Sequence, residues 1–156
     1  MSAEILIRKA KAEDANALFE FNQAMALETE GKNLDAQILQ KGVEAVFRDE
    51  GKGFYVVAET GEKDTRKIVG GLMVTFEWSD WRNGWFWWIQ SVYILPRERR
   101  RGIYRRLYEF VRAAAKERNE VCGFRLYVEK ENKRAQKVYQ KLGMRKSHYL
   151  MFEEIL

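Results

Sequence analysis

Apolar residues recur along this chain with two different periods, and each switch between them marks an element. Residues 3–8 (AEILIR) alternate, which puts Ile5 and Ile7 on one face of a predicted first strand. From about Glu13 the period becomes helical, with Leu18, Phe21 and Met25 at i, i+3 and i+7, until residues 28–33 (ETEGKN) break it. Asp35 is a good capping residue for a second helix, whose Leu39, Val43, Val46 and Phe47 share one face; Gly51 and Gly53 end it. Residues 54–59 (FYVVAE) and 68–78 (IVGGLMVTFEW) then read as an antiparallel hairpin around the turn chemistry of GEKDTRK.

Residues 85–95 (WFWWIQSVYIL) are apolar at odd and even positions alike, which predicts a strand covered on both faces at the centre of the sheet. Gly102 opens a helix with Ile103, Leu107, Phe110, Val111 and Ala114 in one stripe and Arg105, Arg106, Glu109, Arg112 and Lys116 toward water. GFRLYVE (123–129) is a further short strand. A last helix from Asn132 aligns Ala135, Val138, Tyr139 and Leu142 and stops at Gly143, and the alternating SHYLMFEEI (147–155) predicts a closing strand. The elements mix α and β, and no repeat, Pro/Ser linker or low-complexity tract interrupts them, so one domain over 1–156 is expected.

Composition narrows the class. With 46% hydrophobic and 13% aromatic residues in 156, and a single proline, the chain has enough apolar surface for a core and is neither fibrous nor disordered. Cys122 alone cannot form an internal disulfide, and with His148 alone there is no Cys/His zinc set; no metal is expected. No signal-like or membrane-length apolar run occurs, which implies a cytoplasmic, reducing location and no membrane partner. Lys plus Arg exceeds Asp plus Glu by 28 − 23 = +5, and residues 97–106 alone hold six arginines against Glu98, also 6 − 1 = +5. A nucleic-acid binder usually spreads its basic residues over a face, so this single knot points to a compact polyanion such as a pyrophosphate; a solvated basic turn is the plain alternative.

A strand ending at Pro96, an arginine turn, Gly102 and a helix start form a phosphate site by elementary physics. The first N–H groups of a helix have no internal acceptor, and the macrodipole adds positive charge there. Neither G-x-x-x-x-G-K-[ST] nor G-x-G-x-x-G is present, which removes the nucleotide-hydrolysing and dinucleotide readings.

VYILPRERRRGIYRRLY (92–108) resembles the acyl-CoA-binding motif Q/R-x-x-G-x-G/A of the GNAT acetyltransferase superfamily, with Arg99, Gly102 and Tyr104 in the three defined places. Tyr104 departs from the usual small residue, so its side chain must point away from the phosphates. About thirty residues on, LYVEKENKRAQKVYQKLGM (126–144) is similar to the family's last helix in the order and spacing of Asn132, Ala135, Tyr139, Gly143 and Met144. The resemblance runs from about Ile5 to the C-terminus. It implies a mixed, mainly antiparallel sheet with a V-shaped splay, flanked by about four helices, and acetyl-CoA as cosubstrate. The coenzyme-binding groups it implies are the main chain at Val92, Tyr93 and Ile94, the turn Arg99, Arg100, Arg101, Gly102, Ile103, Tyr104 and Arg105, and Asn132, Ala135 and Tyr139 of the last helix.

Acetyl transfer to an amine needs a neutral nucleophile, donors for the carbonyl oxygen and a proton source for the leaving thiolate. The resemblance makes Tyr139 the proton donor, against the alternative of an ordinary core tyrosine. Where several relatives carry a glutamate this chain has Gln90, which cannot titrate and can only orient water or substrate. Glu28, Glu30, Glu77, Asp80 or a water chain remain open as the base. Alternation puts Trp85 and Trp87 on one face and Trp88 with Gln90 on the other, leaving Trp78 and Trp81 at the hairpin end nearer a substrate. Core packing, a homodimer contact and an acceptor wall all fit this aromatic surface. Glu28, Glu30, Glu77 and Asp80 with Trp78 and Trp81 would form a mouth of negative sign, so the expected acceptor is a small cationic or zwitterionic amine attacked directly in a ternary complex. A catalytically silent acyl-CoA-binding or interaction module of the same fold is the alternative.

Overall fold

Strand order in the sheet is β1-β2-β3-β4-β5, from Ile5–Lys9, Phe54–Thr60, Lys67–Ser79, Gly84–Ile94 and Val121–Arg125; every pairing is antiparallel except β4 with β5. The computed structural model describes residues 3–156. Helices α1 (Ala15–Glu30), α2 (Ala36–Arg48), α3 (Ile103–Lys116) and α4 (Lys133–Lys141) complete the regular structure. None of them is long and apolar enough to cross a membrane. By its contacts the chain divides into two compact units, Met1–Leu126 and Tyr127–Leu156.

In the first unit, the side chains of Tyr55, Val57 and Met73 meet Leu18 of α1 and Val43 and Val46 of α2, with Leu39 and Phe47 beside them, as the helical spacing predicts. One face of the sheet is thereby covered by α1 and α2. The alternate residues Val56, Leu72 and Val74 are fully buried on the other face, where α3 crosses β1, β2 and β3 with Ile103, Leu107 and Val111 equally buried. Burying a side chain of this kind contributes about 1.5–3 kcal/mol relative to leaving it exposed. Arg8 donates to Asp14 at 2.7 and 3.0 Å and to Glu59, which joins β1, the turn before α1 and β2.

Local signals hold well. Asp35 accepts from the N–H groups of Gln37 and Ile38 and caps α2, and Gly31 ends α1 in a left-handed conformation. Three expectations are corrected. The middle of the five strands is β3, not β4; β4 reads as central because it is an interior strand, flanked by β3 and β5, with Phe86, Trp87 and Ile89 buried on its two faces. The strand expected over 123–129 is Val121–Arg125, and the α3 stripe includes Tyr108 and Ala115 where Phe110 and Ala114 were expected to be most buried.

The second unit holds α4, capped by Asn132, whose side-chain oxygen accepts from the Ala135 N–H at 3.1 Å. Leu142, Gly143 and Met144 turn back with N–H bonds to 138–140, and Gly143 has φ +97°. The closing strand expected over 147–155 does not form: those residues are exposed and pair with no strand among the described residues. Alternation offers a strand two faces, but only a partner's backbone makes it one.

Candidate functional site

Between Gln90 and Tyr93 the β3–β4 ladder slips. Gly71 pairs with Tyr93 and Met73 with Gln90, so Ser91 and Val92 stand opposite Leu72 alone, and Ser91 takes φ +52°. This is a β-bulge with its extra residue in the left-handed region, an arrangement that turns main-chain groups out of the ladder. On its other side β4 pairs with β5 only through 85–88, and from 89 onward the two strands no longer pair. The splay expected of the sheet therefore opens beside the bulge, along the edge of β4 that β5 leaves unpaired.

The chain continues from β4 through a short 3-10 turn, Pro96–Glu98, into a loop in which Arg100 (φ +65°) and Gly102 (φ +73°) are both left-handed. Gly102 is the N-cap of α3, no side chain caps the helix, and its ladder begins with the Arg106 N–H on Gly102 O at 3.2 Å. The N–H groups of Ile103, Tyr104 and Arg105 thus have no intrahelical acceptor and point out of the helix start toward any anion placed there. A Cβ at Gly102 would meet nothing within 4 Å, so this mouth is open. The Tyr104 ring lies half-buried, stacked on Tyr108 at 6.4 Å, and so turns away from the mouth as the departure from the motif requires.

The arginine knot is less naked than its formal charge. Arg101 is paired with Glu98, Arg105 with Glu109 at 2.9 Å, and Arg99 with Glu28 at 2.8 Å; Arg97 lies 3.9 Å from Glu98. Arg100 and Arg106 have no ion pair among the described residues. Ala3, Glu4, Ile5, Arg101 and Arg106 line an open depression beside the turn. What the knot presents to a polyanion is backbone dipoles with two or three uncommitted guanidinium groups, not six.

Glu28 comes from the last turn of α1. It accepts from the Tyr93 phenol at 2.8 Å and from Arg99, whose Nε donates to the Ile94 carbonyl at 2.9 Å and whose guanidinium lies 5.4 Å from the Tyr93 ring centre. The Arg99 hydrogen bond holds the Glu28 carboxyl below the usual glutamate range, and burial with the bond to Glu28 raises the Tyr93 phenol. Farther down the same face, Gln90 donates to Thr75 Oγ1 at 2.6 Å, while Trp88 Nε1 and Arg125 Nη1 both donate to one oxygen of Glu77, at 3.1 and 2.7 Å. Arg125 and Arg82 lie over the Phe86 ring at 3.7 and 5.0 Å, and Gly123 makes room for that ring, since a Cβ there would come within 2.8 Å of it.

Two groups of expected acceptor residues therefore separate. Glu28, Tyr93, Gln90, Thr75, Trp88 and Glu77 share the face that α1 covers in part. Trp78 stands on the opposite face, edge-on to Trp85 at 5.0 Å and continuous with Phe76, Trp87 and Phe54, so it cannot line the same cleft as Glu77, its neighbour in the strand. Trp81 and Asp80 are exposed in the hairpin turn, where Asp80 accepts from the Trp81 N–H, and exposed Glu30 lies 3.8 Å from Lys32. Negative charge at the mouth is thus smaller than the four carboxylates suggest, because Glu28 and Glu77 are each met by an arginine. Sequence reasoning missed Ser91, Thr75 and Arg125; only the register of the sheet brings them into play, and no local pattern marks them. In the second unit Asn132 caps α4, Ala135 is half-buried and Tyr139 is half-buried with its phenol pKa raised by desolvation.

Comparison with known proteins adds three findings. The model of the Acetyltransferase (GNAT) family matches residues 7–144. A possible acetyltransferase from Clostridium difficile 630 is 43% identical, with 97% of each chain covered and a TM-score of 0.87. A predicted acetyltransferase from Clostridium acetobutylicum, solved with acetyl-CoA, is 20% identical over 96% of each chain at a TM-score of 0.76, and the aminoglycoside N-acetyltransferase AAC(6')-Iy in complex with CoA is 14% identical over 99% of this chain and 97% of its own, also at 0.76. No curated protein matches the chain.

Proposed function

Since the chain belongs to the GNAT family of acetyltransferases, we propose that residues 1–156 act as one domain that moves acetyl from acetyl-CoA to the nitrogen of a primary amine by direct attack in a ternary complex. The observation that carries this reading is the succession of the β4 bulge at Ser91 and the uncapped start of α3 at Gly102. Eleven residues apart, they offer two sets of main-chain donors, one suited to amides and a carbonyl and one suited to a pyrophosphate. When bound, acetyl-CoA supplies the activated acyl group and a thiolate leaving group.

The chain's residues divide the remaining work. N–H groups of Ile103, Tyr104 and Arg105 with the loop 99–102 hold the pyrophosphate, and main chain at Val92, Tyr93 and Ile94 holds the pantetheine amides and polarises the thioester oxygen as it gains charge. Asn132 and Ala135 at the start of α4 are assigned to coenzyme binding, and Tyr139 keeps its phenolic proton throughout the neutral range, its pKa being raised by desolvation, so that it serves as the proton donor for the departing thiolate. Gln90, fixed by Thr75, orients the incoming amine or a water that removes its proton. Glu77 and Trp88 form the acceptor floor with Glu30 and Asp80 at its edges; with Glu28 and Glu77 already paired, the acceptor is a small amine, cationic or zwitterionic, recognised by few net charges. AAC(6')-Iy, which shares the fold, carries a CoA-S-monomethyl-acetylneamine bisubstrate analog in one of its structures.

Thiol release from acetyl-CoA, followed over a panel of primary amines, tests this. Amine-dependent release with an N-acetylated product is expected; coenzyme binding without release for any amine in the panel would instead favour a silent acyl-CoA-binding module.

A further inference from the structure

We propose that Glu28 is a positioning residue for the coenzyme turn and not a group that binds the acceptor. The inference rests on the coenzyme reading given above. Glu28 and Arg99 are 71 residues apart and belong to the two sides of the cleft, yet their side chains meet at 2.8 Å. Arg99 is held at both ends of its fork, by Glu28 through Nη2 and by the Ile94 carbonyl through Nε, and it lies over the Tyr93 ring, whose phenol donates to the second oxygen of Glu28. Both Glu28 oxygens are thereby engaged, and the planar guanidinium is fixed in a geometry a lysine could not reproduce.

This network sits at one particular place in the chain. Ile94 ends β4 just beyond the bulge, and Arg99 opens the loop whose left-handed Arg100 and Gly102 aim the α3 N–H groups. Fixing Arg99 to Ile94 and to α1 sets the distance and angle between the two sets of main-chain donors, which must engage one ligand together. Glu28 also stands in the last turn of α1, where a carboxylate faces the negative end of the helix dipole. An acidic residue there is unfavourable unless its partner compensates, as Arg99 does.

Simple electrostatics and positioning predict opposite signs for one experiment. Coenzyme A is a polyanion, so removing the Glu28 charge and releasing Arg99 would tighten binding if only charge mattered. If Glu28 positions the turn, the same change weakens binding. Coenzyme A affinity is measured by calorimetry for the native chain, E28Q, Y93F, R99Q and the E28Q/R99Q double variant, each checked for folding by its thermal transition. We expect E28Q to weaken coenzyme A at least fivefold, Y93F to weaken it about twofold, and E28Q to have no further effect once Arg99 is replaced by glutamine. Tighter or unchanged coenzyme A binding by folded E28Q overturns the proposal, as does an equal loss from E28Q with and without Arg99. If E28Q does not fold, Y93F decides the matter, with unchanged affinity counting against the proposal. A native chain that binds no coenzyme A sinks the proposed function and this inference together, whereas native binding with an unaffected E28Q sinks the inference alone.

Discussion

The loop that leads into α3 and the open face of the β3–β4 hairpin are both rich in charge, and they dispose of it in opposite ways. Around the loop, Glu98 with Arg101 and Glu109 with Arg105 pair at three- and four-residue spacing, and the binding groups left over are the backbone N–H groups at the start of α3, with Arg100 and Arg106 beside them. On the hairpin face, Glu77 is answered by Arg125, 48 residues away, and the polar groups the face presents are side chains: Glu77, Gln90 and Trp88. Recognition through backbone tolerates changes of side chain but not of conformation. Recognition through side chains tolerates the reverse.

The largest effect that bears on this contrast lies outside both regions. Tyr139→Phe is expected to lower kcat by about 10²-fold or more, the usual contribution of a proton donor, with coenzyme A affinity within twofold of native. A loss of kcat below threefold in steady-state assays would return the tyrosine to a packing role. Next comes the loop. Gly102→Val is expected to weaken coenzyme A more than tenfold, over about 1.4 kcal/mol. Its cause is conformational: the new Cβ has room, but a β-branched residue resists φ +73° and moves the N–H groups it should aim. Calorimetry showing native affinity in the folded variant would break the claim that backbone carries this region.

Smaller effects sharpen the other side. Glu77→Gln keeps both hydrogen-bonding oxygen and shape, and its charge is already answered by Arg125, so the acceptor KM is expected to rise only about threefold, near the value of a partly exposed ion pair. A hundredfold fall in kcat would show instead that Glu77 acts as the base. The smallest effect concerns pH. Glu28 has a depressed carboxyl pKa, so its contribution, with Tyr93 and Arg99 as partners, is complete above the ordinary glutamate value and is lost as pH falls through the lowered one. Thermal stability of E28Q relative to native should therefore be lower at neutral pH and converge with it in acid; a gap that widens on acidification would contradict the assignment.

Much of the architecture was legible because it is local. The stripes of α1 and α2, the Asp35 cap, the hairpin of β2 and β3, the helix opening at Gly102 and the Asn132 cap all follow from periods and capping chemistry within a few residues. The site was legible only where it is backbone. Glu28 looked like an acceptor carboxylate because the sequence places it in a loop-proximal acidic run, and nothing within reach of it announces Arg99. Trp78 looked like a neighbour of Glu77 in the cleft, although adjacent residues of one strand face opposite ways and Trp78 has gone to the aromatic cluster with Trp85. Residues 147–155 carry the right alternation for a strand but pair with no strand among the described residues.

One residue of excess length in β4 has a consequence for how the strand is read. Ahead of Ser91 the even-numbered Phe86, Trp88 and Gln90 face the α1 side; beyond it the odd-numbered Tyr93 does. The strand is thus written in two reading frames, joined at the point where Ser91 and Val92 answer to Leu72 alone. A chain lacking Ser91 would pair Val92 alone with Leu72, keep one frame throughout and leave Tyr93 facing Glu28, so what it would lose is the bulge itself. Length changes that loops absorb freely are not neutral here, because a single codon decides whether the ladder slips at all and whether β4 carries a left-handed residue beside its unpaired edge.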